Sequence, residues 1–350
     1  MAAPPLILFG AFDRHNLGDI LLARVAATES ARQAPFRSTL LAGLTARAAA
    51  PGDGPPVRAI ADLARAWGDA PADVLHVGGE LLTCDLFQAA VMLQSPAEAD
   101  AAIARYADDT SAGMEWARRL TGLDQGLGYL VPKALFRNPG RFEYRAVGGV
   151  DLAGLDPALR TEALARLCEA DTLSVRDCVT RANLAAAGID AALEPDPVSR
   201  VPALFAERIR AHAGSGEPAA VSAAFPRGFL AVQFAAEYGD DASLAILAGF
   251  LEDRLAGSGL GLVLFRAGAA PWHDDLAVYR RLAGILGYRD VRLFRSLDVW
   301  DICALLARAR GYCGTSLHGW ILARAFSVDI LDFPLPALNA KLAAYRDTWE

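Results

Sequence analysis

Short apolar runs of strand length recur along this chain. Each is stopped by glycine or a polar turn and followed by a stretch of helical apolar spacing. That alternation restricts the chain to parallel α/β folds, because each strand must return through a helix before the next can pair with it. The first such unit is Pro5 to Phe12, then the polar turn Asp13 to Asp19, then a helical pattern over Ile20 to Arg32. Further strands are expected at 38–42, 57–60, 73–77, 142–150, 171–177 and 189–193, with helices at 62–67, 97–106, 111–120, 157–170 and up to 187. Glu194-Pro195-Asp196-Pro197 cannot continue regular structure, so a domain junction is placed after Pro197.

Residues 198–228, rich in Gly, Ser, Pro and Ala towards their end, read as linker and loop. The alternation then resumes, with strands at 229–234, 260–265, 291–294 and 328–332 and helices at 243–256, 276–286 and 299–309. A terminal helix is expected over 337–350, giving domains at 1–197 and 229–335 and a helical tail from 336. Two successive arrays of this kind imply two Rossmann-like domains facing across a cleft.

Composition narrows the class further. Hydrophobic residues make up 53% of the 350, and charged residues 21%, which supports sizeable cores and argues against disorder. The net charge of -7, with no basic run, argues against a nucleic-acid partner. No apolar stretch is long enough for a membrane span, and the N-terminus Met1-Ala2-Ala3-Pro4-Pro5 lacks a charged leader region, so a cytoplasmic protein is expected. Cys84, Cys168, Cys178, Cys303 and Cys313 are odd in number and lack CxxC spacing. They read as small core residues rather than a disulfide or zinc framework. No metal site is visible in the histidine spacing either.

Four stretches carry polar chemistry at strand ends. Gly311 to Trp320 runs strand, turn, helix start, with Thr315 and Ser316 as capping types and His318 in the first helical turn. Free N–H groups there suit an anion, and a histidine there is suited to proton transfer. The plainer reading is a capped helix with a packed histidine. After the first strand, Asn16, Gly18 and Asp19 either shape a ligand site or cap the helix; GxGxxG and GK[ST] are both absent. Gly78 and Gly79 end a strand before Glu80, which either pairs a hydroxyl or basic residue or is an exposed acid on a turn. Arg176-Asp177 reads either as a ligand clamp or as an internal ion pair. His273-Asp274-Asp275 marks a helix start. Trp272 and Trp320 either stack on a sugar ring or belong to the core.

Asn16-Leu17-Gly18-Asp19, Val77-Gly78-Gly79-Glu80, Ser174-Val175-Arg176-Asp177 with Pro195-Asp196-Pro197 behind it, and Ser316-Leu317-His318-Gly319 stand in one order over about residues 5 to 335. In that order they resemble the polysaccharide pyruvyl transferase family. The resemblance implies a GT-B-like fold whose C-terminal helix crosses back to the first domain. It also implies a cytoplasmic enzyme of polysaccharide biosynthesis that transfers a pyruvyl group from phosphoenolpyruvate to sugar hydroxyls. Phosphoenolpyruvate is then a co-substrate, and no separate cofactor or metal is expected. The partners are this small donor and a sugar or glycan acceptor, and the chain is compatible with a homo-oligomer.

On this resemblance His318 is the acid/base. Arg176, Arg266, Thr315, Ser316 and Gly319 bind donor phosphate, and Asn16, Gly18, Asp19, Gly78, Gly79 and Glu80 line the acceptor side. Three departures make the site less cationic: Ser316 stands where many members have arginine, Gln233-Phe234 ends a strand where a basic residue is expected, and Glu80 adds a negative charge. The alternatives are another GT-B-like transferase using a nucleotide-linked sugar, or a binding protein that keeps the fold without the chemistry.

Overall fold

The computed structural model describes residues 4–48, 56–286, 290–336 and 340–350. Met1 to Ala3 and the expected start of the terminal helix at 337–339 lie outside the described residues. The chain divides into two compact units, residues 1–197 with 343–350, and residues 198–342.

The first unit is built on strands β1 (Leu6–Phe9), β2 (Thr39–Gly43), β3 (Val57–Ala59), β4 (Ala72–Val77), β5 (Pro139–Val147), β6 (Thr172–Val175) and β7 (Ala192–Leu193). Its sheet is seven-stranded in the order β3-β2-β1-β4-β5-β6-β7, and every pairing is parallel. The continuous apolar run at β1 follows from this position. Ile7, Leu8 and Phe9 are fully buried, as central parallel strands covered on both faces require, and Leu8 registers with Leu41 on one side and Leu75 on the other. The order reverses at β1, so the carboxyl ends of β1 and β4 form a topological switch point.

The second unit carries β8 (Phe229–Gln233), β9 (Gly261–Leu264), β10 (Val291–Leu293), β11 (Gly311–Gly314) and β12 (Asp329–Leu331) in the parallel order β10-β9-β8-β11-β12. Its switch point lies between β8 and β11. Leu230, Val232, Leu262, Leu264 and Cys313 form its core with Leu244, Leu247 and Leu251 from the helix Asp241–Leu255.

Residues 198–228 differ from the linker expected there. They hold the helices Val201–Ala213 and Gly216–Ala224, with Pro202 in the first turn of one and Val201, Ile209, Ala213 and Val221 buried. Proline in a first helical turn is compatible with the helix, and the alanines are strong helix formers, so a Pro- and Ala-rich stretch read as irregular becomes packed helix. The cysteines also differ in part from the core reading. Cys303 and Cys313 are buried and Cys84 half-buried, but Cys168 and Cys178 are exposed; none of the five is in a disulfide among the described residues.

Residues 343–350 belong to the first unit. The helix Lys341–Trp349 is tied there through Tyr345, Thr348 and Trp349. The Asp196 amide donates to Tyr345 Oη at 3.1 Å and the Cys178 amide to Thr348 Oγ1 at 3.0 Å, while Trp349 Nε1 donates to the Arg176 carbonyl at 2.7 Å. Among the described residues no helix is long and apolar enough to cross a membrane.

Candidate functional site

At the carboxyl edge of the first unit's sheet the polar residues are occupied with one another. Asn16 caps the helix Leu17–Gln33, its side chain accepting the amides of Gly18 at 3.0 Å and Asp19 at 3.2 Å. Asp19 pairs with Arg14 at 3.4 Å. Gly78 sits at φ +49, and a Cβ there would lie 2.6 Å from the Leu22 side chain, so this turn demands glycine. Gly79 also turns with positive φ, and its carbonyl accepts the Gly148 amide at 2.7 Å.

Arg176 is only 2% exposed. Its Nη2 donates to Glu80 Oε2 at 2.7 Å and its Nη1 to Asp196 Oδ2 at 3.3 Å. Glu80 also accepts the Val150 amide at 2.9 Å. Burial opposes the guanidinium charge, but Glu80, Asp196 and Asp177 more than offset it and raise the Arg176 pKa. The geometry is that of the internal ion pair, the alternative to a ligand clamp: inside the unit the guanidinium meets Glu80 and the buried Asp196. Glu80 is correspondingly an internal partner. Asp177, for its part, caps the helix Cys178–Ala186 by accepting the Thr180 amide at 2.7 Å. The sequence could not separate an ion pair from a clamp here because the carboxylates come from the ends of other strands.

Arg14 was not singled out by motif. Its Nε and Nη2 lie 3.4 Å from Asp19 Oδ2, at the long edge of hydrogen bonding, and Nη1 contacts Met92 Sδ at 2.9 Å, with the guanidinium over the Tyr129 ring. A charged residue in the first strand-to-helix turn was the signal available for it.

The second unit's carboxyl edge is arranged differently. Gln233 ends β8 and is 2% exposed, which a polar side chain tolerates only when hydrogen-bonded. Its Nε2 donates to Asp274 Oδ1 and its Oε1 accepts the Ser316 amide, both at 2.8 Å. Asp274 Oδ2 in turn accepts the amides of Ala267 at 2.5 Å and Gly268 at 3.3 Å. One amide side chain therefore joins the β9 loop to the β11 turn across the switch point. Burial pushes the Asp274 carboxyl up to about 7, against the opposing pull of the Ala267 amide, Gln233, the Gly268 amide and Arg266. Asp275, not Asp274, caps the next helix, Leu276–Ile285, accepting the Ala277 amide at 2.7 Å.

Thr315 and Ser316 follow β11 and are half-buried. Thr315 Oγ1 accepts the Ala235 amide at 3.1 Å, and Ser316 caps the helix Leu317–Ala325 by accepting the Gly319 amide at 3.1 Å. A Cβ on Gly319 would fall 2.4 Å from the Tyr312 hydroxyl, so this glycine makes room for the buried phenol beneath the turn. The Leu317 amide has no partner among the described residues. His318 stands half-buried in the same first turn. Arg266 follows Phe265 just past β9, which is separated from β11 by β8. It is half-buried and makes no hydrogen bond among the described residues, its Nε being enclosed without a partner.

Arg266, Thr315, Ser316, His318 and Gly319 are thus gathered on one sheet edge of the second unit. Arg176, Asn16, Gly18, Asp19, Gly78, Gly79 and Glu80 belong to the other unit. Gln233 and Asp274 are the residues the motif reading missed as site components; the polar end of an otherwise apolar strand run was the signal. Among the described residues no group of His, Cys, Asp and Glu has the arrangement of a metal site.

A scan against protein-family models and a search of curated proteins gave no match. Among solved structures, the UDP-GlcNAc 2-epimerase of Methanocaldococcus jannaschii is similar with a TM-score of 0.51 at 9% identity, over 97% of this chain and 86% of that one. A structure of the same organism's UDP-GlcNAc 2-epimerase in complex with UDP-GlcNAc and UDP gives a TM-score of 0.50 at 9% identity, over 94% of this chain and 83% of the other. At such identities the likeness is one of fold. The chain has a GT-B-like α/β fold of two Rossmann-like units, each with a parallel sheet.

Proposed function

We propose that this chain is an enzyme acting on a nucleotide-linked sugar, with the phosphates of that substrate held at the carboxyl edge of the second unit's sheet. The observation that carries this reading is Arg266, a guanidinium without a hydrogen-bond partner among the described residues, on the edge that also presents the amino end of the helix Leu317–Ala325. A phosphate needs donors and positive charge together, and a helix start with an arginine supplies both. The first unit offers less, because Arg176 is neutralised by Glu80 and Asp196. Support for a nucleotide comes from the fold relative solved with UDP-GlcNAc and UDP. His318, in the first turn of the same helix, is the group placed to move a proton beside the bound phosphate.

Pyruvyl transfer from phosphoenolpyruvate is the second reading, favoured by His318 standing in the Ser316-Leu317-His318-Gly319 stretch at that same anion-suited helix start. Both readings share the cation and differ in the donor. Calorimetric titration of the full chain with UDP, UDP-GlcNAc and phosphoenolpyruvate separates them. Saturable binding of the uridine ligands, weakened about 10- to 150-fold in Arg266→Ala, is expected for a charge-assisted contact. Binding of phosphoenolpyruvate alone would replace the first reading with the second, and binding of none of the three would remove both.

A further inference from the structure

We propose that Trp272 is a stacking platform for the base of a nucleotide bound at the second unit, a role that rests on the nucleotide reading above. Of the six tryptophans in the chain, only Trp272 is exposed, with 54% of its surface accessible. An indole left that open forgoes the burial that normally holds tryptophan in a fold. Its backbone also stands at φ +63, a left-handed conformation that strains a bulky aromatic and that glycine would adopt freely.

The loop around it is fixed on both sides, so the exposed ring is not on a free segment. The His273 amide donates to the Ala270 carbonyl at 3.2 Å, and the His273 carbonyl accepts the Ala236 amide at 2.9 Å, fastening the loop to the residues just past β8. The His273 ring packs on Gly268, where a Cβ would meet it at 2.7 Å. One residue further on, Asp274 is held by the Ala267 and Gly268 amides and by Gln233. The same loop therefore starts with the cation Arg266 and carries the exposed Trp272 on a backbone held beside it.

The loop ties the indole's neighbourhood to the helix start. Trp272 is two residues from Asp274, so their Cα atoms lie within about 7 Å of each other. Asp274 reaches the Ser316 amide through the single side chain of Gln233, by two contacts of 2.8 Å. On this proposal one molecule carrying both a phosphate and a planar ring, as a nucleotide does, spans from Arg266 to Trp272. A flat heteroaromatic base offers an indole its whole π-face, and that contribution is lost when the ring is removed.

The test uses the full-length protein with UDP and, as a ring-free control, inorganic pyrophosphate. UDP binding is expected to weaken about 5- to 150-fold in Trp272→Ala and Trp272→Gly, with Trp272→Phe retaining most of the affinity. Pyrophosphate binding should be the same in all four proteins. Trp272→Gly should in addition raise the thermal midpoint, because it relieves the positive-φ strain, which separates loss of stacking from loss of fold. Equal UDP affinity in wild type and Trp272→Ala overturns the stacking role and leaves the nucleotide reading standing. Wild type binding pyrophosphate as tightly as UDP also overturns it, while keeping the phosphate subsite. Failure of the wild type to bind UDP at all removes the nucleotide reading and this inference together.

Discussion

Replacing Arg176 with methionine tests whether this residue holds the first unit together or meets a substrate. The guanidinium is 2% exposed and bonds Glu80 at 2.7 Å and Asp196 at 3.3 Å; the Asp196 side chain has no exposed surface and that of Glu80 only 12%. Methionine fills similar volume but leaves both carboxylates without their counter-charge. Removing one partner of a buried ion pair costs about 3–5 kcal/mol, most of it the penalty of the charges left behind. The cost should therefore fall sharply when the carboxylates are neutralised as well, and the triple change Arg176→Met, Glu80→Gln, Asp196→Asn is expected to recover most of it. The shorter contact should carry the larger coupling, so a double-mutant cycle should give Arg176 with Glu80 more than Arg176 with Asp196.

A chain of two units need not unfold in one step, so the readout must be local. Hydrogen exchange over residues 176–197 and 343–350 provides it, since the Arg176 carbonyl accepts Trp349 Nε1 and the Asp196 amide donates to Tyr345. Both segments should lose protection in Arg176→Met and regain it in the triple variant. A loss under about 1 kcal/mol with unchanged exchange at 343–350 would refute the argument. So would intact stability with abolished UDP binding, because that outcome would return Arg176 to the ligand.

Two groups, the buried His76 and the half-buried Asp274, should bend the pH dependence of stability in opposite directions. Burial holds His76 at about 3, below the 6.5 of a free imidazole, with its ring stacked on Tyr144 at 4.0 Å, so its contribution is present above pH 6.5 and lost as the pH falls towards 3. His76→Phe is expected to flatten that acid loss in denaturation measured between pH 7 and 4; an unchanged slope would sink the assignment. Asp274 is raised to about 7 from 3.8, so its contribution is present below about pH 4 and lost as the pH rises through 7. Asp274→Asn should remove that loss and, by leaving Arg266 without a neighbouring carboxylate, should also remove the tightening of pyrophosphate binding expected in wild type as the pH drops through 7. A variant with the wild-type pH profile of binding would count against the Arg266 subsite.

Much of the fold was legible because parallel strands buried on both faces must be apolar throughout, and runs such as Leu6–Phe9 and Phe229–Val232 have little other use. Glycine and paired prolines marked where those runs stopped. Local chemistry also showed the helix starts, since a cap such as Asn16 or Ser316 acts on amides two or three residues away. The helices at 201–224 were obscured because proline in a first turn and proline in a loop look alike in sequence.

Only the tertiary structure decided which charges remain for a ligand. Arg176 and Arg266 both follow strands and read alike, yet Glu80 and Asp196 arrive from other strand ends to neutralise the first, while nothing among the described residues bonds the second. Gln233 becomes the link between two loops for the same reason: strand order sets β8 between β9 and β11, and sequence distance carries no record of that order. The sequence alone determined the periodicities and caps, which are short-range; pairing across a parallel sheet is long-range, and the site is made of such pairings.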